Sequence, residues 1–193
     1  MTIYTFPAIT PSKATWGMKS NTEKFTSPMN GTVQTVSRPG SRWRASLEFS
    51  GMTLAQGATF DAFLASLDGM AGRFYLPPHH RLGTGAACTV NGASQTGRIL
   101  TITAAAGRMF AAGDYFSVNG EFKMVTVSAT ADGAGAINLQ FSPSLRAAPP
   151  NGATVTFAQP VTLMMLDADE YSVVRVPGPL YETIVIACSE VFV

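Results

Sequence analysis

The chain is poor in charge. Only 13% of its 193 residues are Asp, Glu, Lys or Arg, and the formal net charge is +1. An extended nucleic-acid footprint needs clustered Lys and Arg, so a dedicated nucleic-acid binder is not expected. Arg38, Arg42 and Arg44 form the one local basic group, and they read as the solvated face of a strand. Cysteine is scarce as well: Cys88 and Cys188 stand far apart, with no CxxC spacing. Cys188 lies in an apolar run, so a buried free thiol made in a reducing compartment is expected. No apolar run is long enough to span a bilayer, and the start MTIYTFPAITPSK lacks the basic and apolar parts of a signal peptide. Membrane insertion and a secretory route are therefore not expected.

Catalytic signatures are thin. The two histidines are the adjacent pair His79-His80. Neighbouring residues diverge, and no third ligand lies nearby, so a polar linker is expected rather than a metal site. Asp167, Asp169 and Glu170 make one acidic cluster with no second carboxylate group facing it, which reads as a charged turn. Gly92 to Gly97 has no Lys after its last glycine and fails as a phosphate loop. There is no GxSxG. No enzyme, no catalytic or metal residue and no cofactor is expected.

What the sequence holds is β-structure. Trp43, Ala45, Leu47 and Phe49 alternate with Arg42, Arg44, Ser46 and Glu48, the pattern of a strand with one buried face. Leu54, Phe60, Phe63, Leu64 and Leu67 then recur at helical spacing behind a capping box, Thr53 to Gln56, and Gly69 suits a left-handed helix end. Phe74-Tyr75-Leu76 resumes a strand. Before it, Met1 to Asn30 is broken by Pro7, Pro11 and Pro28; it reads as an arm or long loop anchored by Trp16 and Phe25, with Ile3 to Phe6 as an edge strand. Gly31 to Arg38 reads as a strand forming a hairpin with the Trp43 strand.

From about Ala87 to Pro160 short strands alternate with turns. Asn119-Gly120 marks a type I′ hairpin and Asp132-Gly133 another turn. Ile99-Leu100, Ile137-Leu139-Phe141 and Val155-Phe157 are strand cores, and the whole reads as a small barrel or sandwich. Tyr115, Phe116 and Phe122 fit its core, or alternatively a glycan-binding platform. Val161 to Leu166, Tyr171 to Val176 and Tyr181 to Val193 are strands, the latter two separated by Pro177-Gly178-Pro179. The last alternates Ile184, Ile186 and Cys188 with Val185 and Ala187, which predicts a central strand covered on both faces that returns to the Trp43 sheet. The expected architecture is mainly β: residues 1–83 and 161–193 form a β-sandwich with one α-helix, and residues 84–160 form an inserted small β-barrel.

Arg42-Trp43 through Leu47, the Phe60-Asp61-Ala62-Phe63-Leu64 helix and Gly72-Arg73-Phe74 resemble the N-terminal half of distal tail proteins of long-tailed bacteriophages. The inserted segment is similar to the same group at Ala112-Gly113-Asp114-Tyr115-Phe116, Val118-Asn119-Gly120, Lys123-Met124-Val125, Ala131-Asp132-Gly133 and Ser142-Pro143-Ser144-Leu145-Arg146. The resemblance implies a structural virion protein of a siphovirus baseplate or tail tip. It implies a tail-tube-like sandwich that closes a homo-hexameric ring at the distal end of the tube. Tail tube and tail hub proteins would be its neighbours, with the tape measure and receptor-binding proteins as further contacts, and DNA would only pass through the lumen. The inserted domain would project outward toward host attachment.

Overall fold

A computed structural model describes residues 2–79, 85–175, 178 and 180–192. His80 and Arg81, together with Pro177 and Pro179 of the expected late turn, lie outside these described residues. In chain order the strands and helix are β1 (Ile3–Tyr4), β2 (Lys13–Lys19), β3 (Thr22–Thr26), β4 (Val33–Ser37), β5 (Arg42–Thr53), α1 (Leu54–Ser66) and β6 (Arg73–Leu76). There follow β7 (Cys88–Val90), β8 (Ile99–Thr103), β9 (Met109–Phe110), β10 (Tyr115–Val118), β11 (Glu121–Val127), β12 (Ala129–Thr130), β13 (Ala136–Ser142) and β14 (Thr154–Thr156). The chain closes with β15 (Thr162–Leu166), β16 (Val173–Arg175) and β17 (Leu180–Glu190). The fold is mainly β.

Both ends of the chain build one seven-stranded sheet in the order β1-β6-β15-β17-β5-β2, with β16 on β17. Ile184 pairs with Phe49 and Ile186 with Leu47. The apolar alternation of both strands turns Trp43, Ala45, Leu47, Phe49, Ile184, Ile186 and Cys188 into one core. Helix α1 covers that face. Thr53 caps it, accepting from the Gln56 amide while the Gln56 side chain returns to the Thr53 amide. Phe60 then lies 4.4 Å from Phe49 between ring centroids, and Phe63 lies 5.6 Å from Phe74. Leu54, placed on the core face by spacing, is exposed, since it opens the first turn at the helix rim. The left-handed helix end is shared: Asp68 and Gly69 have φ of 51° and 61°.

Four expectations for this part of the chain are corrected. The segment before Asn30 is no loop: Lys13–Lys19 pairs along β5, with Ala14, Trp16 and Met18 on the side of Trp43 and Leu47. Gly31 to Arg38 does not form a hairpin with the Trp43 strand; β4 pairs instead with β3, so that β3 and β4 make a separate two-stranded arm. Phe25, on that arm, is exposed, whereas Trp16 does pack against the core, 5.8 Å from Phe122, and Phe6 joins it as an anchor, stacked 5.6 Å from Phe74. Finally, β17 is central but covered on one face only, because Val185 and Ala187 look outward and are exposed.

The residues between β6 and β15 close a barrel, β10-β11-β13-β8-β7-β14, with every neighbouring pair antiparallel. Its interior is filled by rings: Phe110 and Phe157 lie 4.7 Å apart, Phe116 and Phe157 5.2 Å. The β10–β11 turn is Asn119-Gly120, both with positive φ at 49° and 73°. A Cβ on Gly120 meets nothing within 4 Å, so Gly120→Ala carries only the conformational penalty. It should cost about 1–2 kcal/mol in a denaturant titration, and a cost near zero would show that the turn does not need its glycine.

Candidate functional site

Three surfaces stand out. The first is the β3–β4 arm, residues 22–37, in which every strand residue is exposed. It carries Phe25 at 67%, Met29 at 95% and Val36 at 57% exposure. Isolated two-stranded hairpins are marginal in water, and the one ion pair here, Arg38 to Glu23 at 2.7 Å, lies between exposed side chains and adds little. The second is the outer face of the large sheet, where Lys13, Thr15, Gly17 and Lys19 of β2 pair with Glu48, Ser46, Arg44 and Arg42 of β5. No element among the described residues packs over Val185 there, and its side chain is 55% exposed on a central strand.

The third is the junction between sheet and barrel. Trp43 reaches out of the sheet core into the β10–β11 hairpin. Its ring meets Tyr115 and Phe122 edge-on, each at 5.5 Å, and its Nε1 donates to the Phe122 carbonyl at 3.1 Å. Beside it lies a buried charge network. Lys123 Nζ is 2.6 Å from Glu121 Oε2 and donates to the Ser144 carbonyl. Glu121 also accepts from the amides of Arg146 and Ala147. The Arg146 guanidinium donates to Glu190 Oε1 at 3.3 Å, and the Trp43 amide donates to Glu190 Oε2 at 3.0 Å. Arg146 also covers the Phe192 ring at 3.7 Å.

Burial sets the protonation pattern here. It pushes the Glu190 carboxyl above its usual range, with the Trp43 amide and Arg146 pulling the other way. It pushes the Lys123 ammonium down, against the pull of Glu121. Glu121 is also raised by burial, but its bonds to Lys123 and the two amides outweigh that, and its carboxyl is held below the usual value. Sequence reading missed this network. The available signal was Glu121 and Lys123 interrupting an otherwise apolar strand.

The other sequence candidates are dispersed. Asp169 accepts from the Met70 amide at 2.9 Å and so holds the turn after α1, while Asp167 faces a recess on the outer sheet face. His79 packs against Phe6 at 6.3 Å. The Gly92 to Gly97 loop is pinned by Gln95, whose side chain bonds both the amide and the carbonyl of Thr101. Tyr115, Phe116 and Phe122 are all buried, so none offers a ring to a sugar. Both cysteines are free and buried; burial and the nearby Asp167 push the Cys188 thiol up to about 12. Among the described residues no group of three or more His, Cys, Asp or Glu is placed to hold a metal. Likewise no helix among them is long and apolar enough to cross a membrane.

No family model matches the chain, and no match is found among curated proteins.

Proposed function

We propose that this chain is a structural virion protein, a distal tail subunit that forms a ring at the end of a phage tail tube and joins the tube to the tail tip and its receptor-binding apparatus. The tail-tube-like sandwich belongs to the same proposal, with the large sheet and α1 as the ring-forming body and the barrel as the outward part. The reading involves no catalytic step. What carries it is a pair of incomplete surfaces: an arm with exposed Phe25, Met29 and Val36, and a sheet whose outer face is bare over a central strand. Surfaces of this kind suit a protein that is completed by neighbours. The low charge content points the same way, since weakly charged surfaces resist association poorly.

The test is assembly. The arm can be removed cleanly, because Arg38 donates its amide to the Asn21 carbonyl at 2.7 Å across its base. Light scattering should find the full chain as a closed oligomer, six copies under the ring reading. A variant with residues 22–37 replaced by a short turn should run as a folded monomer with an unchanged near-ultraviolet circular dichroism spectrum. A full chain that stays monomeric and is missing from purified particles would sink the proposal.

A further inference from the structure

A recess of about 520 Å³ opens on the outer face of the large sheet, at the foot of the arm. Its floor is one row across four strands. Gly17 of β2 stands opposite Arg44 of β5, Arg44 opposite Ser189 of β17, and Ser189 opposite Met165 of β15. The next row adds Lys19 opposite Arg42. One wall is the arm base, braced by Asn21 Nδ2 donating to the Pro39 carbonyl at 2.6 Å, and among the described residues Asp167 is the only acid that lines the recess.

Two observations point to an anionic ligand. The lining holds Lys19, Arg42 and Arg44 against the single carboxylate of Asp167. Arg42 leans on the Phe192 ring at 4.9 Å, but the side chains of Lys19 and Arg44 have no ion pair or hydrogen bond among the described residues. Independently, Ser189 is 3% exposed and its hydroxyl has no hydrogen-bond partner among the described residues. Strand alternation sends Cys188 and Glu190 to the core and leaves Ser189 on the recess side. A buried hydroxyl normally finds a partner, and this one borders the recess between Arg44 and Met165 in its row.

Size narrows the ligand. Strands stand about 4.8 Å apart, so β2 to β15 spans about 14 Å, longer than a bare phosphate. We propose that the recess binds a phosphate ester of a polyol. The phosphoryl oxygens accept from Arg44, Lys19 and the Ser189 hydroxyl, and a hydroxyl of the polyol donates to Asp167. The planar fork of Arg44 suits two phosphoryl oxygens, and Lys19 acts as a point charge. The site does not depend on the ring reading, and its failure would leave that reading untouched.

Calorimetric titration of the full chain at fixed ionic strength tests it, with glycerol 3-phosphate, inorganic phosphate and glycerol as probes. Saturable binding is expected for the ester, weaker binding for inorganic phosphate and none for glycerol. Arg44→Gln and Lys19→Met should each weaken ester binding by about tenfold, and Ser189→Ala should weaken it with no loss of melting temperature. Asp167→Ala should bring the ester down to the level of inorganic phosphate. Absence of saturable binding, or binding untouched by Arg44→Gln and Ser189→Ala, overturns the site; equal affinity for ester and inorganic phosphate overturns the polyol assignment.

Discussion

Replacing Glu121 by Leu should destabilise the chain by about 3–5 kcal/mol, read as a fall in the urea midpoint. The change leaves the Lys123 ammonium, fully buried, with the Ser144 carbonyl as its remaining partner in the network. It also strips the Arg146 and Ala147 amides of their acceptor. Lys123→Met should cost less, because Glu121 would keep both amides. That order is the discriminating part: if Lys123→Met proves the more damaging, the amides are not what holds Glu121 in place. A pH signature accompanies it. The carboxyl of Glu121 sits below its ordinary value of 4.5 in the folded chain. The stability it contributes is therefore present above about 4.5 and lost as pH falls through the folded value. The acid limb of the stability curve should be shallower in Glu121→Leu than in the parent.

Trp43→Ala should cost a similar about 3–5 kcal/mol, but its form should differ. Trp43 is buried in the sheet core while its ring and Nε1 bind the β10–β11 hairpin through Tyr115 and Phe122. Its loss removes sheet packing together with the ring contacts and the hydrogen bond that Trp43 makes to the hairpin. Thermal unfolding should then separate into two transitions, the sheet melting first and the barrel, with its own Phe110, Phe116, Phe141 and Phe157 core, melting later. A single transition, merely shifted, would mean that the charge network and the Trp16–Phe122 contact at 5.8 Å couple the two parts without Trp43.

These features differ in how far the sequence reveals them. The helix was legible because Thr53 and Gln56 cap it locally, and the Asn119-Gly120 turn because positive φ selects those residues. The pairing of β17 with β5 is read from apolar residues on both faces of β17; the strand is central, but Val185 and Ala187 are exposed. The arm was only half legible: Gly31 to Arg38 reads as a strand and holds β4, but Phe25, Val33 and Val36 are exposed, so no burial pattern marks β3 or the pairing of the two strands. Strand β2 escaped notice although Ala14, Trp16 and Met18 alternate with Lys13, Thr15 and Lys19, because the prolines around it, Pro7, Pro11 and Pro28, read as a broken segment. The recess could not be foreseen at all, since Lys19, Arg44, Asp167 and Ser189 meet only once four strands align.

The barrel leaves and rejoins the sheet at neighbouring positions, for Leu76 of β6 pairs with Thr162 of β15. Covalently, then, it hangs from a single doorway. A different module could be grafted between these two strands without altering sheet connectivity, provided that it arrives with its own socket for the indole of Trp43 and a counter-charge for Glu190. Diversification at this point is thus limited by a docking patch a few side chains wide rather than by the path of the backbone.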